Sequence, residues 1–346
     1  MRGCRLSLML GMIIAGCATV PPRTAQVEPP ILAVETGEVI SRTELLLRME
    51  RARVIYLGEK HDNPEQHRLQ LRIVEDLLAL GRRPALGFEF FTREQTGWLM
   101  HFVTASPPVA TGNATTPAVD PDPEGERLQK RLGWQGRPEW AFYYPLLALA
   151  RREKLPVFGA DLPEGVRSRL ARVGEAGLSA VEKGLIPTTG FVHADYRQLM
   201  LGQLAEAHCG AASPALLDRL YATWLARNDT MANAITATLH ALPADAPVVM
   251  ILGAGHVAHA MGVFERVVHL NPGIRQFNLG FKEAAAPPTA AAAFSSHRQP
   301  LTVGATHFAP EHAYLWFTPP TPARDPEEDP CAAFRQRHPP PDMGPK

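Results

Sequence analysis

The sequence predicts an α/β fold: a mostly parallel β-sheet flanked by helices, with an inserted helical subdomain. Three observations lead there. The stretches "RVIYLGE" (Arg53–Glu59), "PALGFEFF" (Pro84–Phe91) and "APVVMILG" (Ala246–Gly253) are too continuously apolar for strands wetted on one face. Segments of helical period alternate with them, the order that builds parallel sheets. Between residues 164 and 240 the strand signal lapses while the helical one continues.

Taken in order, the chain begins with Arg2 and Arg5, the apolar run "LSLMLGMIIAG" and Cys17. A positive start and a short apolar stretch predict a signal peptide over residues 1–16, too short for a stable membrane span. "IAGC" (Ile14–Cys17) has the lipobox pattern of bacterial lipoproteins, which places lipidation on the Cys17 thiol. Each buried methylene contributes about 0.8 kcal/mol, so two or three palmitate-like chains hold a protein on a membrane where one does not. Ala18, rather than aspartate, favours the outer membrane and a periplasm-facing protein. Residues 17–41 are proline-containing and without period, and predict a disordered tether to an α/β domain over 42–319.

"RTELLLRMERA" (Arg42–Ala52) predicts a short amphipathic helix. The strand from Arg53 to Glu59 follows, and then a helix from Asn63, with Asn63 as N-cap, Pro64 at the first helical position and Gln66 completing a capping-box-like spacing. Gly81 ends it before the strand at Pro84–Phe91, and "TREQTGWLMHFV" (Thr92–Val103) is helical again. Low-complexity insertions are expected near 104–126 and 284–300. "EWAFYYPLLALARREK" (Glu139–Lys154) reads as helix and "LPVFGADLP" (Leu155–Pro163) as strand. Ala246–Val267 gives strand, turn and helix; "VVHLNP" (Val267–Pro272) and "GIRQFNLGF" (Gly273–Phe281) predict short strands, and "HAYLWFTPP" (His312–Pro320) a last one. Residues 320–346 predict a disordered proline-rich tail.

Lysine plus arginine equals aspartate plus glutamate, 35 each, so no net field recruits nucleic acid. Once Met1–Gly16 is cleaved and Cys17 lipidated, Cys209 and Cys331 remain; an oxidising compartment allows them to pair, and the sequence leaves that open. No CxxC spacing or zinc pattern is present.

In open α/β sheets ligands bind beyond the carboxyl ends of the strands. Those ends deliver Glu59, Lys60, His61 and Asp62, then Glu89, Asp161 and His256. Asp62 suits the helix N-terminus that follows. Glu89 sits in an apolar run where an unpaired carboxylate is costly, so it demands a partner such as His61, Lys60 or a cation. Gly253 and Gly255 let backbone approach a ligand beside His256, whereas His259 reads as a packing residue and His67, on a helix six residues past His61, as facing elsewhere. Gly253, Gly255 and Ala258 also fit a dinucleotide fingerprint, but the segment after them reaches Asn271 rather than an acid for the ribose.

Together "GEKHDNPEQH", "FEFF", "WAFYYPLL", "RNDTMANAI" (Arg227–Ile235), "GAGHV" and "AYLWFTP" resemble the ChaN-type haem-binding lipoproteins, within a superfamily that includes Tiki/TraB proteins and erythromycin esterases. The resemblance implies haem or iron uptake, haem as cofactor or cargo, a haem-linked homodimer and an outer-membrane haem receptor as partner. It implies a tyrosine on the iron, Tyr144 first with Tyr143 and Tyr196 as alternatives, and propionate or pocket contacts from Lys60, His61 and His256. The other reading is a hydrolase. His61, Glu89 and His256 form a credible divalent-metal set, and Glu59, His61, Glu89 and His256 a catalytic one, with Arg227 and Asn228 shaping the pocket. Both readings require Glu59, His61, Glu89 and His256 to share one pocket.

Overall fold

A computed structural model describes residues 29–105, 122–286, 291–321 and 331–332. The expected signal peptide, Cys17 and most of the tail lie outside the described residues. The chain runs through β1 (Ile31–Ala33), β2 (Glu38–Ile40), α1 (Arg42–Met49), β3 (Val54–Glu59), α2 (Pro64–Ala79), β4 (Ala85–Thr92) and α3 (Thr96–Thr104). It continues with α4 (Pro123–Arg131), α5 (Trp140–Glu153), β5 (Val157–Asp161), α6 (Glu164–Val173), α7 (Ala180–Gly184), α8 (Ala194–Ala207) and α9 (Pro214–Ala241). The remainder is β6 (Val248–Gly253), α10 (Val263–Leu270), β7 (Gln276–Glu283), β8 (Leu301–Val303), β9 (Thr306–Phe308) and β10 (Tyr314–Thr318).

Eight strands form one sheet in the order β2-β1-β10-β7-β3-β6-β4-β5. From β10 to β5 every pairing is parallel; β1 and β2 join antiparallel at one edge. The chain moves outward from β3 to β4 and β5, then returns to insert β6 between β3 and β4. It next crosses to β7 on the far side of β3, which creates a switch point at the carboxyl ends of β3, β6 and β4. Successive residues of β3 serve opposite faces. Ile55 and Leu57 pack with residues of α2 and α5 such as Ile73 and Leu146, while Val54 and Tyr56 pack with Met231 and Ile235 of α9 and Val263 of α10. Burial on both faces explains why the strand shows no polar alternation. Among the described residues no helix is long and apolar enough to cross a membrane.

Local chemistry sets the helix ends. The Asn63 side chain accepts from the backbone N–H of Glu65 and Gln66, and Pro64 occupies the first turn of α2. The Asp122 side chain caps α4 in the same way, accepting from Glu124 N–H. Helices α6 to α9 fill the span between β5 and β6.

Several expectations need correction. The tether expected over 17–41 ends earlier: Ile31–Ala33 and Glu38–Ile40 form a hairpin that completes the sheet, because "ILAV" buries all four side chains. Within the insertion expected near 104–126, residues 106–121 lie outside the described residues, and Pro123 opens α4, capped by Asp122. The spacer near 284–300 carries a short helical turn over Ala291–Arg298, which buries Phe294 completely against Phe317. The tail is anchored at two points. Thr321 donates to Glu283, and Cys331 forms a disulfide with Cys209, across 122 residues of sequence. "VVHLNP" is no strand, since Val267–Leu270 complete α10, whose buried side is Val263, Arg266 and Val267. A two-stranded sheet of β8 and β9 was not foreseen.

Replacing Phe294 by alanine is expected to lower the unfolding free energy by about 3 kcal/mol, measured by urea denaturation. No loss would mean that the 291–298 turn adds nothing to the core.

Candidate functional site

At the carboxyl edge of the sheet Glu59 and Glu89 are buried carboxylates, as is Asp161 at the end of β5. Glu59 is the last residue of β3 and is 3% exposed; Glu89, inside β4, is 2% exposed. Neither charge is tolerable there without donors, and the fold supplies them from separate elements.

Glu59 is met from three sides. Its Oε1 accepts from the Tyr143 hydroxyl of α5 and from His61 Nδ1 at 3.2 Å. Its Oε2 accepts from Gln70 Nε2 of α2, with His67 Nδ1 at 3.3 Å. His67 also turns its Nε2 to the carbonyl of His61 at 3.1 Å, tying down the loop that carries that residue. An aromatic wall completes this half. The His61 ring meets Phe90 edge-on at 4.5 Å, and Phe90 lies 5.0 Å from Tyr143.

Glu89 accepts from Arg227 Nη2 at 2.7 Å and from the Gly253 N–H at 2.6 Å, with His256 Nε2 at 3.2 Å. Arg227 bridges onward to Asp161 at 3.0 Å, where Arg167 also binds. The His256 ring is stacked on Trp224 at 3.9 Å, and its Nδ1 lies 2.6 Å from Asn228 Oδ1. With Oδ1 toward Nδ1, Asn228 Nδ2 is buried without a partner among the described residues. Turning that amide over lets Nδ2 donate to Nδ1 and leaves Nε2–H for Glu89, the arrangement a neutral imidazole requires.

Gly253 joins the halves. A Cβ there would lie 2.7 Å from His61 Cε1, 3.0 Å from His61 Nε2 and 3.4 Å from Glu89 Oε2. Only a bare backbone lets the imidazole and the carboxylate sit so close. Burial pushes the Glu89 carboxyl up, but His256 and Arg227 hold it well below the usual range. Burial pushes His256 down, so its imidazole sheds a proton first and Arg227 is the lasting counter-charge. His61 goes the other way: burial lowers it, yet the hydrogen bond to Glu59 and the charge of Glu89 raise it overall.

The fold therefore unites Glu59, His61, Glu89 and His256, with Asp161, Arg227 and Asn228 around them. It does not bring in Tyr144 or Lys60. The Tyr144 hydroxyl donates to Asp122 at the start of α4, and both burial and that bond push it up. Lys60 gives its ammonium to Glu283 at 2.6 Å. Burial pushes the Glu283 carboxyl up, but hydrogen bonds from Lys60, Asn63 and Thr321 bring it down to about 2. Tyr196 lies behind the cluster, accepting from Trp224 Nε1 at 2.8 Å. Tyr143, His67 and Gln70 join the cluster, so His67 does not face elsewhere as the sequence suggested. Their signal was the His67–Gln70 spacing of three, which puts two polar side chains on the buried face of α2.

The divalent-metal set of His61, Glu89 and His256 is not formed. Among the described residues no group of three or more His, Cys, Asp or Glu is disposed to hold a metal ion. The Glu89 oxygens are already spent on Arg227, His256 and Gly253.

The model of the family described as "Haem-binding uptake, Tiki superfamily, ChaN" matches residues 45–267. The chain belongs to this ChaN family. Among solved structures, one described as cofacial heme binding to ChaN of Campylobacter jejuni matches with a TM-score of 0.59 and 15% identity, covering 84% of this chain and 96% of that one. A mutant of the erythromycin esterase EreC in its open conformation matches at a TM-score of 0.40 and 12% identity, over 74% of this chain and 76% of that one. No curated protein sequence matches the chain. The ChaN fold thus accounts for the sheet and its flanking helices.

Because the folded Glu89 carboxyl is depressed, its contribution to stability is full above the unfolded value of about 4.3 and drains away as pH falls toward the folded one. Glu89→Gln should flatten this acid limb in urea midpoints followed from neutral pH downward. Glu89→Ala, which leaves Arg227 unmatched, should cost about 3 kcal/mol at neutral pH. An unchanged acid limb in Glu89→Gln would show that Glu89 does not carry it.

Proposed function

We propose that this chain binds haem at the carboxyl edge of its sheet, with His61 as the side chain that meets it. The observation that carries this is the state of the His61 ring. Glu59 holds Nδ1, the ring edge rests on Phe90, and the side chain is 47% exposed with Nε2 bound to no other group of the described chain. A carboxylate on one ring nitrogen fixes the tautomer and makes the other nitrogen a better donor to iron. When the ring is protonated, that same atom becomes a charge-assisted hydrogen-bond donor to a propionate. The raised His61 pKa moves the exchange between these roles to higher pH than for a free imidazole.

Haem supplies iron redox and ligand-exchange chemistry; the chain supplies the seat. Family membership supports the choice of ligand, and the half-exposed imidazole beside an aromatic wall fits it. The tyrosines fit less well, since Tyr143 and Tyr144 give their hydroxyls to carboxylates. Lys60 reaches a propionate only if its pair with Glu283 opens. An edge site leaves one face of a planar ligand open to water. A second copy covering that face gives the haem-linked homodimer this reading includes.

The cellular setting proposed is the bacterial envelope, with Cys17 acylated on an outer membrane and haem passing to or from a receptor there. The lipobox supports the anchor, and the Cys209–Cys331 disulfide supports an oxidising compartment.

Haem titrated into the purified chain should produce a Soret band that His61→Ala weakens at least tenfold, or about 1.4 kcal/mol in affinity, and that Tyr144→Phe leaves in place. A band that survives His61→Ala and disappears in Tyr144→Phe would overturn the assignment. Mass spectrometry of membrane-extracted protein should find diacylglycerol on Cys17 and none in Cys17→Ser; an intact Met1–Gly16 would refute the anchor.

A further inference from the structure

The opposite rim of the sheet holds a second feature that haem binding does not use. Where α1 and α2 end and β3, β6 and β7 begin, a cleft of about 850 Å3 is lined by Arg51, Arg53, Arg82, Arg83 and Arg275. Glu50 and Asp245 are its acids. None of the five guanidiniums forms an ion pair with a described carboxylate. Their bonds go to backbone carbonyls: Arg53 to Ala244, Arg82 to Met49, Ala52 and Asp245, Arg83 to Glu153, and Arg275 to Arg51. Arg53 Nε is buried and has no partner among the described residues.

Structural bracing accounts for part of this charge. Helices α1, α2 and α9 end at or beside the cleft, and each carboxyl end carries roughly half a negative charge. Five cations against two acids leave a formal excess of three, and the helix ends offset about half of it. Burial lowers the Arg82 guanidinium; Arg53 adds to that lowering, while Glu50 and Asp245 pull the other way. The rim is apolar as well as charged. Leu47 is 60% exposed and Leu80 54% exposed, both beside the arginines.

We propose that this cleft binds an anionic amphiphile, its phosphate held among Arg51, Arg53, Arg82, Arg83 and Arg275 and its acyl chain laid on Leu47 and Leu80. Guanidinium forks match phosphate oxygens geometrically, and positions held by backbone carbonyls are pre-organised. A volume of this size accommodates a headgroup with the first part of a chain. Free phosphate satisfies the arginines but leaves the two leucines wet, which is why the lipid form is favoured.

The test is calorimetric titration of the full chain with dihexanoyl phosphatidic acid held below its micelle concentration. Glycerol 3-phosphate and dihexanoyl phosphatidylcholine serve as comparisons. Phosphatidic acid should bind, glycerol 3-phosphate more weakly, and phosphatidylcholine not measurably. Arg51→Glu and Arg83→Glu remove few or no internal bonds, and each should weaken phosphatidic acid binding by about thirtyfold, two charge units at roughly 1 kcal/mol each. The haem Soret band should be unchanged in both. Equal affinity for glycerol 3-phosphate would assign the cleft to free phosphate esters and overturn the amphiphile. Binding unaffected by both reversals, or none at all, would overturn the site.

Discussion

Everything at the functional edge depends on keeping the Glu89 carboxylate charged inside the buried sheet. Isolated, that charge would cost several kcal/mol to bury. Here it is met by a backbone N–H from β6, a guanidinium from α9 and an imidazole from the turn after β6. These donors come from elements far apart in sequence, so the ion network also fixes how α9 lies across the sheet. The same contacts place Gly253 against His61 and so define the exposed imidazole. Fold and site are set by one electrostatic requirement.

The two histidines of the cluster illustrate how surroundings divide identical side chains between tasks. His256, fully enclosed and stacked on Trp224, is driven toward its neutral form and acts as a fixed hydrogen-bonding strut. His61 has its ring half in solvent and is the accessible member; against the lowering by burial, its bond to Glu59 and the Glu89 charge raise it. Both follow a glycine three residues earlier, Gly58 and Gly253, where each strand stops at the rim. The paired motif is therefore a way of ending two neighbouring parallel strands with one imbedded and one accessible ring.

Much of this was legible in the chain itself. Three continuous apolar runs announced β3, β4 and β6, and a carboxylate stranded in "GFEFF" announced that partners had to exist for Glu89. The convergence of Glu59, His61 and His256 followed from strand-end logic. What stayed hidden depended on tertiary contact. "ILAV" reads as linker until β10 offers an edge to pair with, and Phe294 reads as part of an alanine spacer until Phe317 covers it. Tyr143 and Tyr144 are adjacent, and sequence alone does not reveal which faces the sheet. Helix α5 turns Tyr143 toward Glu59 and Tyr144 toward Asp122. A helix carries neighbouring residues about 100° apart, so a choice between adjacent tyrosines is a choice between faces.

The covalent link from Cys209 to Cys331 bears on how oligomers of this protein are to be recognised. Cys209 sits in a turn after α8 with φ of +57°, and its natural mate arrives from the far end of the chain. A product clipped ahead of Cys331 would carry an orphan thiol at that turn, and two such products can crosslink through it in air. That artefact would run as a pair on a non-reducing gel with no ligand present and vanish on reduction, and retaining the carboxyl-terminal cysteine prevents it.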